Sequence, residues 1–221
     1  MSGQRARAQT ESQRGELSKD AILDAALALA DADGLAAVSI RRIAEEFGLS
    51  AMSLYRHIRT KEEILDGLAD RAWEILDREP ESNIAWDEHL RQTFIHMHQS
   101  MLGHPGLVDI IMLEPNRGLH VYAVIERLMG VLVSAGFDTD AALLAVASLE
   151  SYTLGFTVQQ RVRAGRDASA DHPPLFDLPK DQFPNLSGAP EKFAQWASEE
   201  RFLAGLEWAI NNLQRDRTLG N

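Results

Sequence analysis

The chain has 221 residues, 45% of them hydrophobic, and a formal net charge of -11. It has no cysteine, which excludes disulfides, thiolate metal sites and cysteine nucleophiles. No uninterrupted apolar run approaches the ~18 residues that span a bilayer, and the opening MSGQRARAQTESQRGE lacks the apolar core of a secretory signal. A cytoplasmic chain with no membrane partner is expected.

Charge is spread unevenly. Residues 1–61 carry nine Lys/Arg against eight Asp/Glu, and the remainder thirteen against twenty-five. Any surface for a polyanion therefore belongs to the N-terminal part. Residues 1–16 are polar and poor in apolar side chains, so a disordered tail is expected. Its Arg5, Arg7 and Arg14 have the charge to lie along phosphates, though a loose tail reads the same way.

From Ser18 the pattern becomes helical. Ala21, Ile22, Ala25, Ala26, Leu29 and Ala30 form one stripe, and Gly34 ends it. The stretch Ser39 to Lys61 then reads as two short helices around a tight turn. Ser39 is an N-cap by type. Ile43, Ala44 and Phe47 repeat at helical spacing, and Gly48 suits a helix stop. The second helix is expected over about Ala51 to Ile58, with Ala51, Leu54 and Ile58 inward and Met52, Ser53, Arg56 and His57 outward. So short a helix is not stable alone in water. It must dock on its predecessor, as in the helix-turn-helix that enters the DNA major groove. A mere pair of packed helices would look similar. Charge separates the two readings: Arg41, Arg42, Arg56, Arg59 and Lys61 face only Glu45 and Glu46 in this stretch.

A connector helix is expected over 61–78, capped by Thr60, with Ile64, Leu65, Leu68, Ala72, Ile75 and Leu76 as its apolar side. The rest reads as helical throughout: 86–102, 106–114 between Pro105 and Pro115, 116–135, 138–164, and 191–215, with a long loop at 165–190. The 138–164 helix is apolar around most of its circumference. The last helix carries a seam of Phe202, Leu206, Ala209, Ile210 and Leu213. These two are expected to pair with their copies in a four-helix homodimer interface. The fold class is therefore all-α. Its parts are a tail at 1–16, a three-helix helix-turn-helix DNA-binding domain at 17–62, the connector, and a larger helical domain at 79–221.

A small helical enzyme or metal protein without a DNA role is the competing reading. His89, His96 and His98 do not support it. Residues i and i+2 of a helix point apart, and His89 and His96 lie two turns apart. No His-Glu-x-x-His, Gly-x-Ser-x-Gly or phosphate-cradling glycine loop occurs. No metal, cofactor or catalytic residue is expected. Phe94, Met97, Met101, Met112, Leu113, Tyr152 and Phe156 are types that suit an adaptable ligand cavity. Ordinary core packing would use the same types.

The order of these parts resembles the TetR family of bacterial transcriptional regulators. AILDAALALADADG and SIRRIAEEFGLSAMSLYRHIRTKEEILDGLAD carry the resemblance in the first part. In the second part, Trp86 with Leu90-Arg91, the run Ser151-Tyr152-Thr153-Leu154-Gly155, and Phe202-Leu203-Ala204-Gly205-Leu206-Glu207 are similar to the tetracycline-repressor branch. The resemblance implies a ligand-responsive homodimeric repressor on a palindromic double-stranded operator. It places Arg41 at phosphate or base, and Ala51, Met52 and Ser53 at the start of the recognition helix. Tyr55, His57 and Lys61 fall on the DNA backbone. Base reading is expected of Arg56, whose fork matches guanine. Tetracycline repressors hold a magnesium-drug chelate with a histidine and a glutamate. The corresponding positions here are Ile110 and Gln159, a poor pair for a cation that takes oxygen ligands. The expected effector is therefore small, largely apolar and held without metal, and Ile110, Leu128 and Gln159 complete the candidate pocket.

Overall fold

In the computed structural model the described residues are 17–79, 83–113, 118–164, 179–187 and 195–219, and their regular structure is entirely helical. The helices are α1 (Lys19–Asp33), α2 (Ile40–Glu46), α3 (Ala51–Leu54), α4 (Lys61–Leu76), α5 (Trp86–Gly103), α6 (Pro105–Leu113), α7 (His120–Ser134), α8 (Thr139–Ala164), α9 (Pro184–Ser187) and α10 (Glu199–Leu219). The expectations for the tail, with Arg5, Arg7 and Arg14, and for most of the 165–190 loop fall outside the described residues.

The chain forms two compact units. The first holds residues up to Ile75 together with Gly103–Ala123, and the second holds Leu76–Leu102 and Val124 onward. The sequence reading placed everything after residue 78 in one domain. The difference is α6, which packs along α1. Asp31, near the end of α1, accepts from the Gly106 amide at 2.7 Å and lies 2.9 Å from His104 Nδ1. A Cβ on Gly106 would come within 2.9 Å of the α1 backbone, so only glycine allows this approach.

Within the first unit, Ser18 caps α1 by accepting from the Ala21 amide at 3.1 Å. The unit's core is Ile22, Ala26, Ile43, Leu54, Ile58, Ile64 and Leu68, all 1% exposed or less. Thr60 caps α4 through the Glu63 amide, and the Glu63 carboxylate reaches back to the Arg59 amide at 2.6 Å.

The second unit packs α8 on α10 around Leu149, Phe202, Leu206 and Ile210. Asp138 caps α8. By length and composition α8 would suffice to cross a membrane, although it contains Asp140 and Glu150. Its Ala142, Ala145, Val146, Leu149, Thr153 and Thr157 are buried inside the unit. The seam expected to face a second chain is partly spent at home, since Phe202, Leu206 and Ile210 are buried within this one. Among the described residues of α8 and α10, the large apolar side chains left outside are Leu203 and Trp208 on α10 and Leu143, Leu144 and Val162 on α8. Two sequence marks from opposite ends of the unit turn out to be one ion pair: Arg91 Nε and Nη2 donate to the Glu207 carboxylate, and Nη1 donates to Glu88 of α5.

Candidate functional site

The turn between α2 and α3 follows from local chemistry. Ser39 Oγ accepts from the Arg42 amide at 3.3 Å. Gly48 has φ +65°, the left-handed value that L side chains avoid. The Gly48 amide then reaches the Glu45 carbonyl at 3.0 Å and the Leu49 amide the Ala44 carbonyl at 2.9 Å. This is the Schellman closure of a helix. It turns the chain sharply into α3.

Helix α3 is shorter than expected, ending at Leu54 rather than Ile58. Residues 55–57 form turns, and the His57 amide bonds the Leu54 carbonyl three residues back. The inward positions hold nonetheless, with Leu54 and Ile58 each 1% exposed. Of the residues named for DNA, Arg41, Met52, Tyr55, Arg56, His57 and Lys61 are exposed, and Ala51 and Ser53 are half-buried. Arg41 is tied to Glu45 at 3.0 Å and Arg42 to Asp33. Arg56, Arg59 and Lys61 carry no ion pair among the described residues. The exposed face is therefore cationic and uncompensated from residue 56 to residue 61.

The residues named for a ligand cavity are divided between the two units. In the second unit Phe94, Met97, Met101 and Leu128 are buried, at 4% exposure or less. Tyr152 and Phe156 are half-buried, and Gln159 is exposed. Ile110, which is buried, and Met112, which is 56% exposed, belong to the first unit. The side chain of Leu113 lies outside the described residues.

Sequence reasoning missed what organises this part of the second unit. His98, taken for an ordinary histidine, is 1% exposed and stacks on Phe202 with ring centroids 3.8 Å apart. Phe156 meets it edge-on, and Tyr152 stacks on Phe202. The Tyr152 hydroxyl donates to the Phe202 carbonyl at 2.8 Å. Burial pushes the Tyr152 phenol up and the His98 imidazole down from their ordinary values. A groove of about 340 Å³ is lined by Phe156, Trp196, Arg201, Ala204 and Gly205. A second groove, of about 570 Å³, runs past Trp86, His89 and Arg127.

A helix-turn-helix with a bare cationic face, followed by a helical unit with a buried aromatic cluster, defines a DNA-binding regulator with a separate sensing part. The chain matches the family described as "Bacterial regulatory proteins, tetR family" over residues 22–68 and the "Tetracyclin repressor-like, C-terminal domain" over residues 79–216. It belongs to the TetR family of bacterial transcriptional regulators, and is a ligand-responsive DNA-binding protein. An HTH-type transcriptional regulator of Saccharopolyspora erythraea is 30% identical over 162 residues, 71% of this chain and 69% of that one. The class D tetracycline repressor of Escherichia coli is 26% identical over 204 residues, covering 90% and 89%. Apo ActR from Streptomyces coelicolor superposes with a TM-score of 0.78 at 30% identity, covering 93% of this chain and 98% of that one. ActR in complex with actinorhodin gives 0.76 at 29%, covering 92% and 99%.

Proposed function

We propose that the chain works in the cytoplasm as a homodimeric repressor, bound to a near-palindromic operator and released by a small, largely apolar effector held without metal. The observation that carries this is the uncompensated cationic face of residues 56–61 in a chain of net charge -11. Arg56 reads a base edge, most simply guanine, and Arg41, Tyr55, His57 and Lys61 hold phosphates. Ala51, Met52 and Ser53 stand at the groove entrance. Residues 17–62 serve as the DNA head, 61–78 as the connector and 79–221 as the sensing and dimerising part. The exposed Leu143, Leu144, Leu203 and Trp208 support pairing with a second copy. Of the cavity candidates, Phe94, Met97, Met101, Leu128, Tyr152 and Phe156 stay with the sensing part.

Helix α4 runs unbroken from Lys61 beside the turn to Leu76, the first residue of the second unit. It acts as a lever: effector binding shifts its far end and changes the spacing of the paired recognition elements. The test is selection of bound duplexes from a random pool. Two-fold-related half-sites about 34 Å apart are expected. Selected sites without two-fold symmetry would refute the dimer. Effector affinity measured by calorimetry with and without that duplex must then differ by the factor by which effector weakens DNA binding; equal affinities would refute the lever.

A further inference from the structure

The groove of about 570 Å³ in the second unit is lined by hydrogen-bond donors. Arg127 places Nη1 2.9 Å from His89 Nε2. A guanidinium only donates, so Nε2 accepts and the neutral ring carries its proton on Nδ1. Burial, reinforced by the Arg127 charge, holds the imidazole below its ordinary value and keeps the ring in that form. That Nδ1–H, the indole N–H of Trp86 and the Ser134 hydroxyl have no partner among the described residues. Arg127 spends one N–H on His89 and one on Asp77, and a guanidinium has more to give. Among the described residues, no carboxylate or amide side chain lines the groove to meet these donors. A donor-rich groove calls for an acceptor.

Gly130 points the same way. It stands inside α7, where a glycine costs helix stability. Its φ is not positive, and a Cβ there would meet nothing within 4 Å. Neither a turn nor close packing within the chain requires it. What the missing side chain preserves is the groove that Gly130 lines. Trp86 and Ile84 add apolar surface, and the volume is that of a small-molecule site. We propose that this groove is a second small-molecule site, built for an aromatic carboxylate whose ring lies on Trp86 and whose oxygens accept from Arg127 and His89. A single negative charge suits it, because the Asp77 carboxylate already offsets the guanidinium and would repel a dianion. The groove shares no residue with the candidate effector cavity, so this site and the apolar effector stand or fall separately.

The experiment titrates the full chain by calorimetry with 2-naphthoate and with 2-naphthamide, which keeps the ring but not the charge. The carboxylate should bind about tenfold tighter. Gly130→Leu favours the helix and fills the groove, and should weaken naphthoate by about tenfold or more. Gly130→Ala favours the helix equally but adds only a methyl, and should keep most of the binding. In the wild type, naphthoate should also shift the ¹⁵N–H resonance of the Trp86 indole, assigned through Trp86→Phe; this reading stands even if Gly130→Leu does not fold. Equal affinity for acid and amide overturns the proposed selection of a carboxylate. Naphthoate binding that leaves the Trp86 resonance unmoved, or that survives Gly130→Leu in full, places the probe elsewhere and overturns the site while leaving the apolar effector untouched. Failure of naphthoate to bind at millimolar concentration overturns it as well.

Discussion

The guanidinium of Arg127, on α7, binds the carboxylate of Asp77, the first residue after the connector helix, and places its other nitrogen 2.9 Å from His89 Nε2. Asp77 and Arg127 are each less than a quarter exposed. One cation thus ties together the end of α4, the start of α5 and the middle of α7. Arg127→Met would take this cation away from the half-buried Asp77 carboxylate. Unfolding in urea should show a loss of about 1–3 kcal/mol. A double-mutant cycle with Asp77→Asn should give a coupling above about 0.5 kcal/mol; strict additivity would make the pair ornamental.

Stability should fall in mild acid. Burial is the main cause lowering the pKa values of both His89 and His98 below the usual 6.5, and at His89 the neighbouring Arg127 charge adds to it. A lowered folded value means that the unfolded chain binds the proton first, so stability is full above about pH 6.5 and declines as pH drops toward the folded values. Glu150, raised by burial, works in the opposite sense. The clean readout is therefore a difference: between pH 7 and pH 5.5 the wild type should lose more stability than His98→Phe does. Parallel curves would remove His98 from the account.

On DNA, the two cations should behave differently. Arg56→Ala should cost on the order of 1–3 kcal/mol and relax preference at one base pair per half-site. Lys61→Ala should weaken binding alike on all sequences and reduce the salt slope by about one unit per contact. An unchanged base preference in Arg56→Ala would take that residue off the base edge.

The dimer is best tested at Trp208, which is 73% exposed, because Leu206 is buried inside its own chain and a charge there would unfold it. Trp208→Glu should give a folded monomer in sedimentation at micromolar concentration where the wild type is a dimer. A variant dimer of unchanged affinity would move the interface elsewhere.

Gly205 marks a close approach of α10 to α8. A Cβ there would sit 2.1 Å from the Tyr152 hydroxyl. Gly205→Ala in an open helix would stabilise by up to about 1 kcal/mol. Here it should instead destabilise by about 1–3 kcal/mol through overpacking. Thermal unfolding of the variant with Tyr152→Phe added should show partial recovery, since the hydroxyl is the nearest atom.

The head was legible in the sequence because its determinants are local. Ser39, Gly48 and Thr60 each bond a residue three positions away, and that distance is visible in a one-dimensional string. The length of α3 was not, because the tight turns at 55–57 that set Ile58 inward are a product of docking. The sensing part was legible only as a family resemblance. Arg91 and Glu207 were noticed as separate marks, but their pairing spans 116 residues. His98 was set aside because its meaning lies in Thr157, 59 residues on. Met112 was grouped with the cavity by residue type and Ile110 by its correspondence to the tetracycline-repressor histidine, and α6 packs on α1 through a glycine whose purpose shows only when the two backbones meet.

That glycine bears on how such proteins can be recombined. The first unit is not a contiguous stretch: the chain leaves it at Ile75, returns at Gly103 and leaves again after Ala123. A hybrid regulator made by exchanging everything before residue 79 would join a foreign α1 to the resident α6. Unless the newcomer kept an acidic side chain at Asp31 and a small one at Ala30, the graft would lose the seat for Gly106 and His104. Transplanting operator specificity into this scaffold therefore requires two cuts more than the linear map suggests, with Gly103–Ala123 carried alongside the head.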